Sequence, residues 1–195
     1  MTVRGQMYTL EAVITAVLLV SSLVFALQVT AVTPLSASTS NQHIENQQRA
    51  SASGVLTAAQ EAGALKDAVL YWNDSDSAER YHDAGQREYY TSDYPPNEFG
   101  NITERAFAGR GLAVNVLVYP GDGTDATRLV YRGEPSDNAV SASRTVTIYD
   151  DDDLTAPGTT TTAADADSFD EAVPEDSSGN SVYNVVRVEV TVWRM

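Results

Sequence analysis

The side chains in this sequence that could do chemistry are few. His43 and His82 are the only histidines and there is no cysteine. That leaves no thiolate or His-rich metal set and little imidazole chemistry. Ser, His and Asp all occur, but no Gly-x-Ser-x-Gly elbow, His-Glu-x-x-His pair or Gly-x-x-x-x-Gly-Lys loop is present. His82-Asp83 is an isolated pair. No enzyme and no cofactor are expected. Asp150, Asp151, Asp152 and Asp153 offer oxygens to a hard cation such as calcium. They form no Asp-x-Asp-x-Asp-Gly loop with a later Glu, and consecutive aspartates point in different directions. A hydrated loop is favoured over a calcium site there, and no metal is expected. The turn Gly121-Asp122-Gly123 with Asp125 is equally unspecific. Two sequons, Asn73-Asp74-Ser75 and Asn101-Ile102-Thr103, make Asn73 and Asn101 candidates for N-glycosylation. Thr159–Thr162 is a weaker candidate for O-linked sugar.

Charge narrows the function classes. Twelve Lys and Arg stand against 27 Asp and Glu, for a formal charge of −15. Nucleic-acid binding needs a basic stripe that displaces counterions from phosphates, so it is not expected. Arg4, Arg49, Glu11 and Glu45 cancel within residues 1–50, so the whole excess lies beyond them. Lys66 is the single lysine among eleven arginines. An acidic, lysine-poor surface resembles proteins of salt-loving archaea, where concentrated salt shortens the Debye length to ~3 Å or less and screens carboxylate repulsion. An ordinary acidic extracellular domain is the alternative.

These residues hang from a greasy N-terminal segment. From Ala12 to Ile44 there is no Asp, Glu, Lys or Arg. The run Ala12–Leu27, continuing to Val32, is about as long as a helix that crosses the ~30 Å hydrocarbon layer. Thr15, Ser21 and Ser22 can bond back to helix carbonyls without spoiling the span. Pro34 and the Ser/Thr-rich stretch after it predict a bend or break. Three readings stand: a cleaved secretory signal ending near Leu35-Ser36-Ala37, a plain single-span anchor with Arg4 inside, and a retained assembly helix.

The third reading rests on Arg4-Gly5-Gln6-Met7-Tyr8-Thr9-Leu10-Glu11, directly before the apolar run. A short basic leader, a Gly and a Glu at the mouth of a hydrophobic helix resemble the class III signal of archaeal type IV pilin-like proteins. The resemblance implies cleavage on the cytoplasmic side by a prepilin peptidase at Gly5 or Gln6. Cutting after Gly5 makes Glu11 the sixth mature residue, and cutting after Gln6 restores the usual fifth. It also implies that Glu11 pairs with the N-terminal amine of a neighbouring subunit. The alternative is that Glu11 sits at the cytoplasmic interface, where the helix dipole favours negative charge.

Further along, Val55, Ala59, Ala62, Leu65, Val69 and Trp72 form an apolar stripe at helical spacing. Residues 73–111 read as loop, with Pro95-Pro96 and a tyrosine density that suits packing or a contact surface for a partner or sugar. Strands are expected at 112–119, 127–132, 140–149 and 182–193, the first two as a hairpin across Pro120-Gly-Asp-Gly123. Val186, Val188, Val190 and Val192 mark one apolar face of the last strand. Residues 150–176 hold ten acidic and no basic residues, so they read as a solvated low-complexity loop.

The expected fold is α+β: a long N-terminal helix on an antiparallel sheet of about four strands. The expected organisation is a leader at 1–6, a membrane and assembly helix at 7–33, its continuation at 34–72, and an extracellular β domain at 73–195. The expected function is a pilin-like, minor structural subunit of a surface filament or secretion pseudopilus. Its partners would be the membrane, other pilin-like subunits, the peptidase and the assembly machinery. Its N-terminus would be cytoplasmic and its β domain outside. The rivals are a non-polymerising membrane-anchored binding module and a secreted protein.

Overall fold

The computed structural model describes residues 3–75, 78–176 and 179–195, with backbone alone at 3–7, 29–41, 75, 78 and 79. In chain order the elements are α1 (Val3–Glu61), α2 (Ala64–Val69), β1 (Trp72–Ser75), β2 (Ala78–Tyr81), α3 (Glu98–Phe107), β3 (Leu112–Tyr119), β4 (Thr127–Val130), β5 (Val140–Tyr149), α4 (Asp167–Ala172) and β6 (Val182–Arg194). The architecture is mixed helix and sheet. The chain divides into a unit Met1–Ile44 and a unit Glu45–Met195.

Among its described residues the first unit is helix. Helical structure runs past Pro34. A proline inside a helix removes one backbone donor, and the hydrogen bonds on either side can carry the helix through.

In the second unit, the end of α1 buries Ala52, Val55, Leu56 and Ala59. This i, i+3, i+4, i+7 spacing gives one stripe. The stripe does not run on to Trp72 as expected. Gly63 adopts φ 74, a left-handed conformation that glycine takes without penalty. The helix therefore ends at Glu61, Ala62 turns outward, and α2 restarts in a new phase that buries Ala64, Leu65, Ala68 and Val69. Trp72 opens β1 instead.

All four expected strands form, in the antiparallel order β4-β3-β6-β5. Val114 faces Val192, Val116 faces Val190 and Val118 faces Val188. These valines share one core with Ala52, Val55, Leu56 and Ala59 of α1. The strands form because β-branched residues alternate along them, and the sheet holds because its apolar face meets the helix stripe. On the opposite face Arg187 reaches Glu189 at 2.7 Å, and Ser141 bonds Thr191 at 2.7 Å. Strand β5 lies at a sheet edge, where bare backbone invites further strands. Two of its carbonyls are covered by side chains. Arg144 Nη1 donates to Ser143 O at 3.1 Å, and Gln60 Nε2 to Thr145 O at 3.5 Å.

Two stretches read as loop are structured. Within 73–111, β1 and β2 pair as a hairpin, and α3 starts at the N-cap Asn97, whose Oδ1 accepts from Gly100 N at 3.0 Å. Phe99, Thr103 and Phe107 form its buried side. The crowded aromatics pack down: Tyr71, Tyr81, Tyr90 and Phe99 are buried. Within 150–176, Leu154, Ala156, Ala163, Ala166, Phe169, Ala172 and Val173 are buried. The carboxylates occupy the outward positions between these small apolar residues, so a highly charged composition still supplies a packed layer. Thr155 N donates to Leu70 O at 2.9 Å, and Trp72 Nε1 to Ser168 Oγ at 2.9 Å, which in turn donates to Asp74 Oδ1 at 2.6 Å.

Candidate functional site: an exposed apolar helix

The segment Tyr8–Gln28 spans 21 residues, and none of it is buried. Leu10, Val13, Val17, Leu19, Leu23 and Phe25 are each about three-fifths or more exposed, and they point all around the helix. Each such side chain gains about 1.5–3 kcal/mol on full burial. A rod with such exposed apolar area favours transfer from water into an apolar environment. It is one helix near the N-terminus, long and apolar enough to cross a membrane.

The polar groups inside the span are handled locally. Thr15 Oγ1 donates to Glu11 O at 2.8 Å, and Ser22 Oγ donates to Leu19 O at 2.9 Å. Both hydroxyls thus return to the backbone, which lowers their cost in hydrocarbon. Glu11 is exposed, near the N-terminal end of the span. The candidate processing residues Gly5 and Gln6 belong to the helical backbone, and their side chains lie outside the described residues.

The other candidates are dispersed. Asn73 is half-buried in β1 opposite Arg80. Asn101 is exposed in the first half of α3, not in a loop, with Nδ2 3.4 Å from Glu98 Oε2. The hydroxyl of its sequon partner Thr103 is buried and donates to Phe99 O at 2.7 Å. Asp150–Asp153 follow β5 in a turn. Asp152 is engaged by Lys66 and by Tyr149 N, the latter at 2.7 Å. Among the described residues no group of three or more His, Asp or Glu side chains converges for a metal. His82 Nε2 lies 3.5 Å from Asp83 Oδ2, and His43 is exposed on α1.

Burial acts most strongly on tyrosines. Tyr81, Tyr90 and Tyr183 are held well above the usual phenol range, chiefly by desolvation of the phenolate; for Tyr183 the carboxylates of Asp170 and Glu175 add to it. Tyr90 donates to His82 O. The Tyr81 hydroxyl is buried with no partner among the described residues.

One feature gave no sequence signal of its own. An open groove of about 970 Å³ is lined by residues from Trp72 to Thr191, among them Tyr89, Tyr119, Arg128 and Tyr131. Strand register and loop packing bring these distant positions together; the clustering of tyrosines was the only hint.

No curated protein and no solved structure matches the chain significantly. A family model does match, over residues 4–192, so the match takes in both the apolar helix and the sheet. The chain belongs to this family, a family of unknown function (DUF7288).

Proposed function

We propose that this protein is a structural, pilin-like subunit held in the cell membrane by its N-terminal helix. In this reading its β domain lies outside and the helix packs against copies of itself or related subunits. The observation that carries the reading is the exposed apolar rod Tyr8–Gln28, in a chain whose other unit packs Ala52, Val55, Leu56 and Ala59 in one core with an antiparallel sheet. The leader Arg4-Gly5-Gln6 and the acid Glu11 supply the processing and pairing elements that a prepilin peptidase and an assembly machine would use. The charge of −15 and the single lysine fit a surface protein of a halophilic archaeon, with Asn73 and Asn101 as glycan acceptors. The ten carboxylates of 150–176 would crowd tightly packed copies, which favours a minor subunit.

Mass spectrometry of the mature protein tests this. A new N-terminus at Gln6 or Met7, with the protein in the sheared filament fraction, is the expected result. An N-terminus near Ser38 would remove the proposal in favour of secretion.

A second reading has its own observation. The groove beside Tyr89 and Tyr131 suits a membrane-anchored binding module that never polymerises. Uncleaved protein confined to membranes would favour it.

A further inference from the structure

Helix α3 and the loop before it frame an open pocket of about 550 Å³, within the size range of small-molecule sites. Pro95, Pro96, Phe107 and Leu112 supply apolar lining. Asn101, exposed on α3, lines the same pocket and heads the sequon Asn101-Ile102-Thr103. A candidate acceptor nitrogen and a pocket therefore adjoin.

Two lining residues each bury a donor that has no partner among the described residues, Tyr94 at its hydroxyl and Arg132 at Nε. Buried polar atoms nearly always have a hydrogen-bond partner, so two orphans in one wall mark a place where a polar group is missing. Arg132 is held in position there. Its Nη2 donates to Ser92 O at 3.0 Å, and its guanidinium lies 4.5 Å from the centre of the Tyr94 ring. Asp93 and Glu104 stand exposed on the same lining and offer acceptors. Donors, acceptors and apolar carbon in one pocket suit a sugar ring, which carries C–H faces, hydroxyls and an ether oxygen. A charge of −15 makes a free anion a poor occupant.

We propose that Asn101 carries an N-linked glycan whose first sugar lies in this pocket. The proposal rests on the reading that the β domain lies outside and that Asn101 is a glycan acceptor. The donor is a lipid-phosphate-linked oligosaccharide. The bond from Asn101 Nδ2 to the sugar C1 forms, the bond from C1 to the phosphate oxygen breaks, Nδ2 gives up one proton and the lipid phosphate leaves. Nδ2 keeps its other hydrogen, so its 3.4 Å contact with Glu98 Oε2 can persist. The Thr103 hydroxyl is buried against Phe99 O in the folded chain, so transfer precedes the closing of α3. Attachment holds the sugar beside the pocket at high effective concentration, and modest contacts then suffice to keep it there.

The test uses the full chain from its own cells, in detergent. Mass spectrometry of the tryptic peptide 88–105 should show a hexose-containing adduct at Asn101. Hydrogen–deuterium exchange is then compared with Asn101→Gln made in the same cells. Exchange at residues 92–94 and 108–111 should be at least threefold faster in the sugar-free variant, with the rest of the domain unchanged. Thr103→Val removes the sequon while keeping Asn101, and it serves as the sugar-free form if Asn101→Gln misfolds by circular dichroism. An unmodified peptide 88–105 would overturn the proposal together with the role of Asn101 as acceptor. A modified peptide with equal exchange in the sugar-free variant would overturn the docking alone and leave the acceptor standing. Faster exchange spread evenly over the domain would overturn the docking as well.

Discussion

Arg144 and Thr57 are 87 positions apart, and Arg144 Nη2 donates to Thr57 Oγ1 at 3.0 Å. The same guanidinium covers Ser143 O at the edge of β5. One side chain thus ties the end of α1 to the sheet and blunts the sheet's open edge. Arg144→Ala should cost about 1–2 kcal/mol in urea denaturation, the range for hydrogen bonds from a charged donor after allowance for partial exposure. It should also raise the tendency to self-associate, read by light scattering. An unchanged midpoint would show that packing alone fixes the helix.

Gly100 admits no side chain. A Cβ there would lie 1.8 Å from Pro95 O, backbone that Asn97 N also uses. Gly100→Ala should destabilise by about 1–3 kcal/mol, the usual cost of overpacking. Gly54, with nothing within 4 Å of its added Cβ, is the control. At that helical site Gly54→Ala should stabilise by about 0.5–1 kcal/mol.

Tyr81 buries a hydroxyl with no partner among the described residues, and its phenol is raised by desolvation. Its ordinary value is 10.0. Above that pH the unfolded chain loses the proton while the folded chain keeps it. The unfolded state then binds fewer protons, so stability falls as pH rises through and beyond 10. Tyr90 and Tyr183 act in the same direction. Melting temperature should be flat for these groups below about pH 9 and fall above 10. Tyr81→Phe should lessen that fall and, at neutral pH, be neutral or stabilising by up to about 1 kcal/mol. A steeper alkaline loss in the variant would contradict the assignment.

Salt should matter to the domain more than to the rod. Residues 1–44 carry one Arg and one Glu, so the charge of −15 belongs to the remainder. The ion pairs among its described residues, such as Lys66–Asp152 and Arg187–Glu189, neutralise few of those carboxylates. Thermal unfolding at 0.05 M and 2 M KCl should give the higher midpoint in concentrated salt, where repulsion is screened. A midpoint that is independent of KCl would count against the halophile reading.

The strands were legible because their information is local. Val186 to Val192 alternate, and Pro120-Gly-Asp-Gly123 separates two β-branched runs; the expected ranges match β3, β5 and β6 to within a residue. Strand β4 is shorter than expected, ending at Val130. Helix α3 was missed although its signal was present: Asn97 as cap, then Phe99, Thr103 and Phe107 at spacing four. Pro95-Pro96 and the flanking glycines outweighed it. In α4 a single large apolar residue, Phe169, sits among acids, so composition concealed the burial. The exposed helix was legible from its run of apolar residues. The groove was not, since Tyr89, Arg128 and Tyr131 acquire meaning only once β4 is paired to β3.

Lys66 is the chain's only lysine, pinned to Asp152 and lying 4.9 Å from the centre of the Tyr149 ring. Cross-linkers that seek ε-amines therefore have one shielded target per molecule and will under-report neighbours. Mapping which molecules touch this one has to go through carbodiimide activation of its acids.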